Sequence, residues 1–203
     1  MRGILRFASL AVLALLAASC ASHAPPAPPM AVFAFENANA LLIPAGKVSL
    51  VDNYKPPLVP PNIEQNHEAR PALIVRRWAA ARVKPIASAP GTLTLTILDA
   101  SVIEQPREVK TDWKHIFSRQ AEKTLTANLA WRIAYDGPSL TWHTDGTATA
   151  TQSVLEQSSL NEADADYNAM VESLAAAFDA RAQQQLGELS DALAKTGGPV
   201  SKN

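Results

Sequence analysis

The chain has 203 residues, with 18 Lys+Arg against 19 Asp+Glu and a formal net charge of −1. That balance leaves no basic excess to displace counterions from a phosphate backbone, which excludes nucleic acid as the expected partner. Hydrophobic residues make up 47% and charged residues 18%, enough for a packed core at a length that fits one domain, and the single cysteine excludes both an internal disulfide framework and a cysteine-built zinc site.

Arg2 and Arg6 open the chain, Phe7 to Ala18 form an almost purely apolar run, and no acidic residue appears before Glu36. A basic start and a short apolar stretch are the pattern of a secretory signal, and the run falls short of the ~20 residues that a retained membrane anchor helix needs. The end of the run, Leu16-Ala17-Ala18-Ser19-Cys20, resembles the lipobox of bacterial lipoproteins, in which cleavage before the cysteine leaves it at the new N-terminus for acylation. The resemblance implies that residues 1–19 are a signal peptide and that Cys20 is the lipid attachment site. Ala21 follows it rather than aspartate, which in that family implies transfer to the periplasmic face of the outer membrane. Several acyl chains on one residue supply the two or more apolar signals that stable anchoring needs, at ~0.8 kcal/mol per buried CH₂. Removing residues 1–19 also removes two arginines and leaves a mildly acidic mature chain.

Residues 20–45 read as a lipidated, proline-rich tether and an extended lead-in. Ala24-Pro25-Pro26-Ala27-Pro28-Pro29 favours polyproline II, a semi-rigid spacer that would hold a folded body clear of lipid headgroups, or a proline-rich ligand for a partner domain. A single α+β domain is expected over 46–195, with a flexible tail over 196–203.

Within the domain, a first strand is predicted at 46–53, with Val48 and Leu50 on one face, stopped by the four prolines of 54–61. A helix is predicted over 70–84, with Pro71 in its first turn and Ile74, Val75, Trp78 and Ala81 at helical spacing. Thr92 to Ile97 alternates as a strand. Beyond it the apolar parity moves to Leu98, Ala100 and Val102, which requires either a bulge near Asp99 or cover on both faces. Residues 121–136 alternate most strongly, Leu125, Ala127, Leu129, Trp131, Ile133 and Tyr135 against polar neighbours. After the Asp136-Gly137-Pro138-Ser139 turn, 140–154 runs back with Trp142, Ala148, Ala150 and Val154 inward. The last element is a helix over 160–195. Ser159 and Glu162 form a capping-box pattern, and Leu160, Tyr167, Met170, Val171, Leu174, Phe178, Leu186, Leu189 and Leu193 make its apolar stripe.

The order β-α-β-β-β-α predicts a two-layer α+β sandwich, about four mainly antiparallel strands with two helices on one face. Gly146, Ala148 and Ala150 would leave room for a helix to approach the sheet closely. Residues 70–84 carry Arg70, Arg76, Arg77, Arg82 and Lys84 with no acid, while the last helix carries seven acids, so side-by-side packing would set opposite charges across the helix seam. Contact of the arginine row with anionic lipid is the alternative.

No catalytic set is visible. Cys20 is assigned to lipidation, there is no Gly-x-Ser-x-Gly elbow, and the eight glycines form no phosphate-cradling loop. His143 and Asp145 share a strand face but lack further ligands, and the acidic run 161–166 lacks the glycine and twelfth-position glutamate of a calcium loop, so no metal and no cofactor are expected. The connection 105–120 is long for a link between antiparallel strands and sets Trp113, Ile116 and Phe117 among charges at helical spacing. Those three side chains either fold onto the sheet end as a short helix or form an exposed aromatic patch for a protein or lipid partner.

Element order and lipobox together resemble the lipopolysaccharide-assembly lipoproteins and the auxiliary lipoproteins of lipid-transporting ABC systems. The resemblance implies a non-enzymatic, membrane-anchored accessory protein of an envelope assembly or lipid-transport complex, with an envelope protein as partner. The rival expectation is a carrier that holds a lipid or other apolar ligand between sheet and helices, in a cavity lined by Trp131, Trp142 and Phe178.

Overall fold

A computed structural model describes residues 31–107, 121–155 and 158–197. These residues form an α+β fold of seven strands and two α-helices: β1 (Leu41–Ile43), β2 (Lys47–Asp52), α1 (Pro71–Arg82), β3 (Val83–Pro85), β4 (Thr92–Asp99), β5 (Val102–Pro106), β6 (Ala121–Asp136), β7 (Thr141–Leu155) and α2 (Leu160–Lys195). The α+β class and the two helices match expectation. The sheet does not, because more than four strands are present and two of the pairings, β1–β3 and β2–β4, are parallel.

β6 organises the main sheet. One of its edges pairs with β7 from Ala121 to Asp136, and the other is shared, β4 taking Ala130–Asp136 and β5 taking Lys123–Ala127. β4 and β5 are therefore two segments of one edge, separated by an irregularity between Ile97 and Asp99. This is the bulge anticipated from the parity change. Asp99 closes the step by accepting from the Ser101 N–H (3.1 Å) and hydroxyl (3.2 Å), while Ala100 and Val102 return to the interior.

The long helix follows its sequence pattern closely. Ser159 accepts from the Glu162 N–H, and the Glu162 carboxylate accepts from the Ser159 N–H at 2.8 Å, satisfying two otherwise orphaned donors. Its apolar stripe is buried from Tyr167 to Leu193, except that Leu160 lies on the surface at 86% exposure. α1 ends two residues earlier than predicted, because Val83–Pro85 turns into the small parallel sheet with β1.

Between helices and sheet, Phe178 sits edge-on to both Trp131 (4.7 Å between ring centres) and Trp78 (5.3 Å). Trp131 Nε1 donates to Gln185 Oε1 at 2.8 Å, and Gln185 Nε2 in turn donates to Thr144 Oγ1 and to the Asp145 carbonyl. The buried amide of Gln185 is thus satisfied on both ends, as burial demands. Gly146, the cross-strand partner of Trp131, makes room for that indole rather than for a helix backbone: a Cβ there would lie 2.3 Å from Trp131 Cε2 and Cζ2.

The segment before residue 46, expected as an extended lead-in, carries part of the core. Phe33 and Phe35 are buried and stacked at 5.3 Å, and Ala31, Ile43 and Ala45 are buried with them. Its polar groups also change the charge pattern expected at the helix seam. Arg77 pairs with Glu36 and lies 4.5 Å above the Phe33 ring, Arg76 pairs with Asp52 of β2, and the Val32 N–H donates to Glu172. Arg82 meets Asp179 across the seam at 3.4 Å and also donates to the Asn39 carbonyl. Most of the arginine row therefore serves the lead-in and β2, whose acids lie nearer than those of α2.

Candidate functional site

The densest polar grouping lies where the proline-rich segment crosses the outer edge of β5. The backbone there is tied down by Ile63 N–H to the Val102 carbonyl (2.9 Å) and Glu104 N–H to the Pro61 carbonyl (2.9 Å). Glu64, in a short 3₁₀ turn (Glu64–Asn66), is 2% exposed and reaches inward, accepting from the Val102 N–H at 3.0 Å and the Tyr54 hydroxyl at 2.6 Å, with Asn62 Nδ2 at 3.5 Å. A side-chain carboxylate thus takes the place of a neighbouring strand for one backbone donor, and the edge of β5 is closed.

Burial alone would raise the Glu64 carboxyl, but the bonds from Tyr54, from Val102 and within the turn outweigh it and hold the group below the ordinary carboxylate range. The Tyr54 hydroxyl is pushed above the usual tyrosine range, by burial first and then by the carboxylate it faces. Glu64 is accordingly the ionised acceptor and Tyr54 the neutral donor.

Three residues on, His67 stacks face to face on Tyr167 of α2, with ring centres 3.6 Å apart and planes 12° from parallel. Burial lowers its pKa, and Asp164, whose carboxylate lies 3.7 Å from His67 Nδ1, opposes that shift only in part. The Tyr167 hydroxyl is buried without a hydrogen-bond partner among the described residues, and burial raises its pKa. Lys123 and Glu104, paired at 2.7 Å, complete the cluster where β5 and β6 diverge at the Pro106–Lys123 pairing. The strong donors and acceptors of this group are spent largely on each other, and their combined effect is to fasten residues 54–67 to the sheet edge and to α2. Sequence reasoning missed it. The one signal was the four-proline stop after β2, which marks a segment unable to form its own ladder.

Cys20, Trp113, Ile116 and Phe117 lie outside the described residues. The polar cluster stands at the root of the segment that carries the three aromatic and aliphatic candidates. His143 and Asp145 do share the outer face of β7. His143 is exposed, and both carboxylate oxygens of Asp145 are taken by Arg132, at 2.7 and 2.8 Å, a surface ion pair that holds the carboxyl low and the guanidinium high. Trp131 and Phe178 are fully buried against each other, with Trp142 partly buried at the margin, so this trio packs the core rather than lining a cavity. A small cleft of 120 Å³ lies elsewhere, between Leu41–Pro44 and the α2 residues Gln183, Leu186, Gly187, Leu189 and Ser190.

No protein-family model matches the chain, and no curated protein matches it. Among solved structures, rare lipoprotein B from Shewanella oneidensis is 14% identical, with 70% of this chain and 97% of that one covered and a TM-score of 0.41. A hypothetical protein from Chlamydia trachomatis is 13% identical, covering 70% and 98%, with a TM-score of 0.40. A protein from Xanthomonas campestris is 13% identical, covering 73% and 88%, with a TM-score of 0.29.

Proposed function

We propose that the chain is a non-enzymatic lipoprotein, anchored through acylated Cys20 at the periplasmic face of the outer membrane, that positions a protein partner in an envelope assembly or lipid-transport complex. The observation that carries this reading is the lipobox-like run ending at Cys20, the chain's one cysteine, separated by ten residues from Ala31, which is buried and is the first of the described residues. As polyproline II that spacer would span roughly 30 Å, enough to clear headgroups while keeping the body at the bilayer. No helix among the described residues is long and apolar enough to cross a membrane. The adaptor reading is favoured over a lipid carrier because the space between sheet and helices, where a ligand would sit, is occupied by Trp131, Phe178 and Trp78.

Two measurements test it. Metabolic labelling with a palmitate analogue should mark the wild-type chain, and Cys20→Ser should abolish both the label and retention in the membrane fraction. Unlabelled, freely soluble wild-type protein would defeat the anchor. A Trp113→Ser, Phe117→Ser double variant, unfolding at the wild-type temperature, should lose the partners that the wild type captures from detergent-solubilised membranes. An unchanged partner set would remove that segment from the reading.

A further inference from the structure

The loop between β2 and the Glu64 turn combines features that a turn in water does not call for. Residues 55–61, Lys55-Pro56-Pro57-Leu58-Val59-Pro60-Pro61, are all exposed, with Leu58 64% and Val59 57% open. Leu58 adopts a φ of +62°, a left-handed conformation that turns normally give to glycine or asparagine because a larger side chain is strained there. Such strain persists only where the surrounding structure enforces it. Here the Tyr54 N–H donates to Asp52 and its hydroxyl to Glu64, the Asn62 N–H donates to the Val59 carbonyl, and residues 61–63 are bonded to β5. Four prolines fix most of the remaining backbone. The buried polar cluster is thus the footing of a stiff loop whose apolar tip is left in solvent.

Charge and position both bear on what meets that tip. Between Asn53 and Ile63 the one charge is Lys55. The acids on either side are already engaged, Asp52 with Arg76 at 2.8 Å and Glu64 in the buried cluster. Val51 and Leu98 flank the Asp52–Ile97 pairing at the loop's foot and are exposed as well. The loop also leaves the body close to where the tether enters it. Arg76 of α1 holds Asp52 at the root of the loop, and the next residue, Arg77, donates to the Ala31 carbonyl at 3.5 Å. A spacer of ~30 Å between Cys20 and Ala31 is long enough to let this side of the body lie against the bilayer.

Resting on the anchored reading above, we infer that residues 55–61 are a membrane wedge. Leu58 and Val59 enter the boundary between headgroups and acyl chains of an anionic phospholipid leaflet, and Lys55 stays among the phosphates. The two apolar side chains gain by leaving water, the lysine lays its stem along apolar surface with its ammonium at headgroup level, and the loop has no carboxylate for anionic lipid to repel. The proline backbone and its tied base have already lost the freedom that insertion would otherwise cost. The tether holds the leaflet at high effective concentration, so a contact too small to recruit a free protein suffices for an anchored one. A tether alone leaves the body free to tumble. The wedge fixes which side it turns to the membrane.

Fluorescence quenching by lipid tests the inference. The chain, purified from cells in detergent, is attached to phosphatidylethanolamine–phosphatidylglycerol vesicles whose acyl chains carry bromine. Attachment is by its own acyl groups or, if labelling finds Cys20 unmodified, by coupling that thiol to a maleimide lipid, so that loss of the anchor reading and loss of this inference are separate results. With the wild type as baseline, bromine should quench the emission added by Leu58→Trp at least threefold more than that added by Leu42→Trp. Leu42 is also exposed, but it pairs with Lys84 beyond the far end of α1. Both variants should unfold at the wild-type temperature, and adding Val59→Asp to Leu58→Trp should lower its quenching at least twofold. Equal quenching at the two sites overturns the inference. So does Leu58→Trp emission that bromine leaves unchanged, the result expected if a protein rather than lipid covers the tip.

Discussion

The β6–β7 hairpin shows two surfaces made by the same strands. On the helix side, Leu125, Ala127, Leu129, Trp131, Ile133 and Tyr135 of β6 are buried, with Gly146, Ala150 and Val154 of β7 across from them. On the other side, Thr141, His143, Asp145, Thr147, Thr149 and Thr151 are exposed, and Arg132 meets Asp145 in water. A pleat of period two assigns alternate residues to opposite environments, and only one of those environments has partners close enough to register a change of shape. The helix-side face therefore sets stability, and the outer face is free to vary.

That asymmetry can be broken most severely at Trp131. Trp131→Ala removes the ring on which Phe178 packs and the donor to Gln185, and should cost about 3–5 kcal/mol in denaturant unfolding. Gly146→Ala comes next. Its Cβ collides with the fully buried indole, which has little room to shift, so a loss near the upper end of the ~1–3 kcal/mol overpacking range is expected, with tryptophan fluorescence reporting the displaced ring.

A smaller effect depends on pH and lies at the polar cluster. Burial holds the folded-state pKa of His67 below its unfolded value, so the unfolded chain binds the proton first as pH falls. Stability conferred by neutral His67 is complete above the unfolded pKa near 6.5 and is lost as pH drops towards the folded one. Melting temperatures measured from pH 8 to 5 should fall more steeply for the wild type than for His67→Gln. A pH dependence unchanged by the substitution would show that the stack on Tyr167 does not sense protonation. The smallest effect is expected on the outer face, where Arg132→Ala should leave the unfolding midpoint unchanged at physiological salt, because both partners are solvated. A clear loss there would mean that the outer face is covered in solution.

Much of the architecture was legible because it is written in local pattern. The bounds of β6 and α2, the Ser159–Glu162 cap and the bulge near Asp99 all follow from alternation, helical periodicity and capping chemistry within a few residues. β1, β3 and β5 were not legible. Two have three residues and one has five, too few for a period to emerge, and each is extended only because a distant segment pairs with it. The polar cluster was hidden for the same reason: Glu64 and Val102 are 38 residues apart, and nothing near either one signals the other.

The amino-acid order alone thus determined which stretches of β6, β7 and α2 are amphipathic and on which side, since burying one face of a regular element is a local property of spacing. Tertiary structure decided what that order left open: that Phe33 and Phe35 belong to the core, that Gly146 serves an indole, that the arginines of α1 answer to Glu36 and Asp52 more than to α2, and that one sheet edge is closed by a carboxylate. Each of those outcomes depends on which of several chemically equivalent partners comes nearest once the chain is compact, and proximity in space is not encoded in the spacing of residues along it.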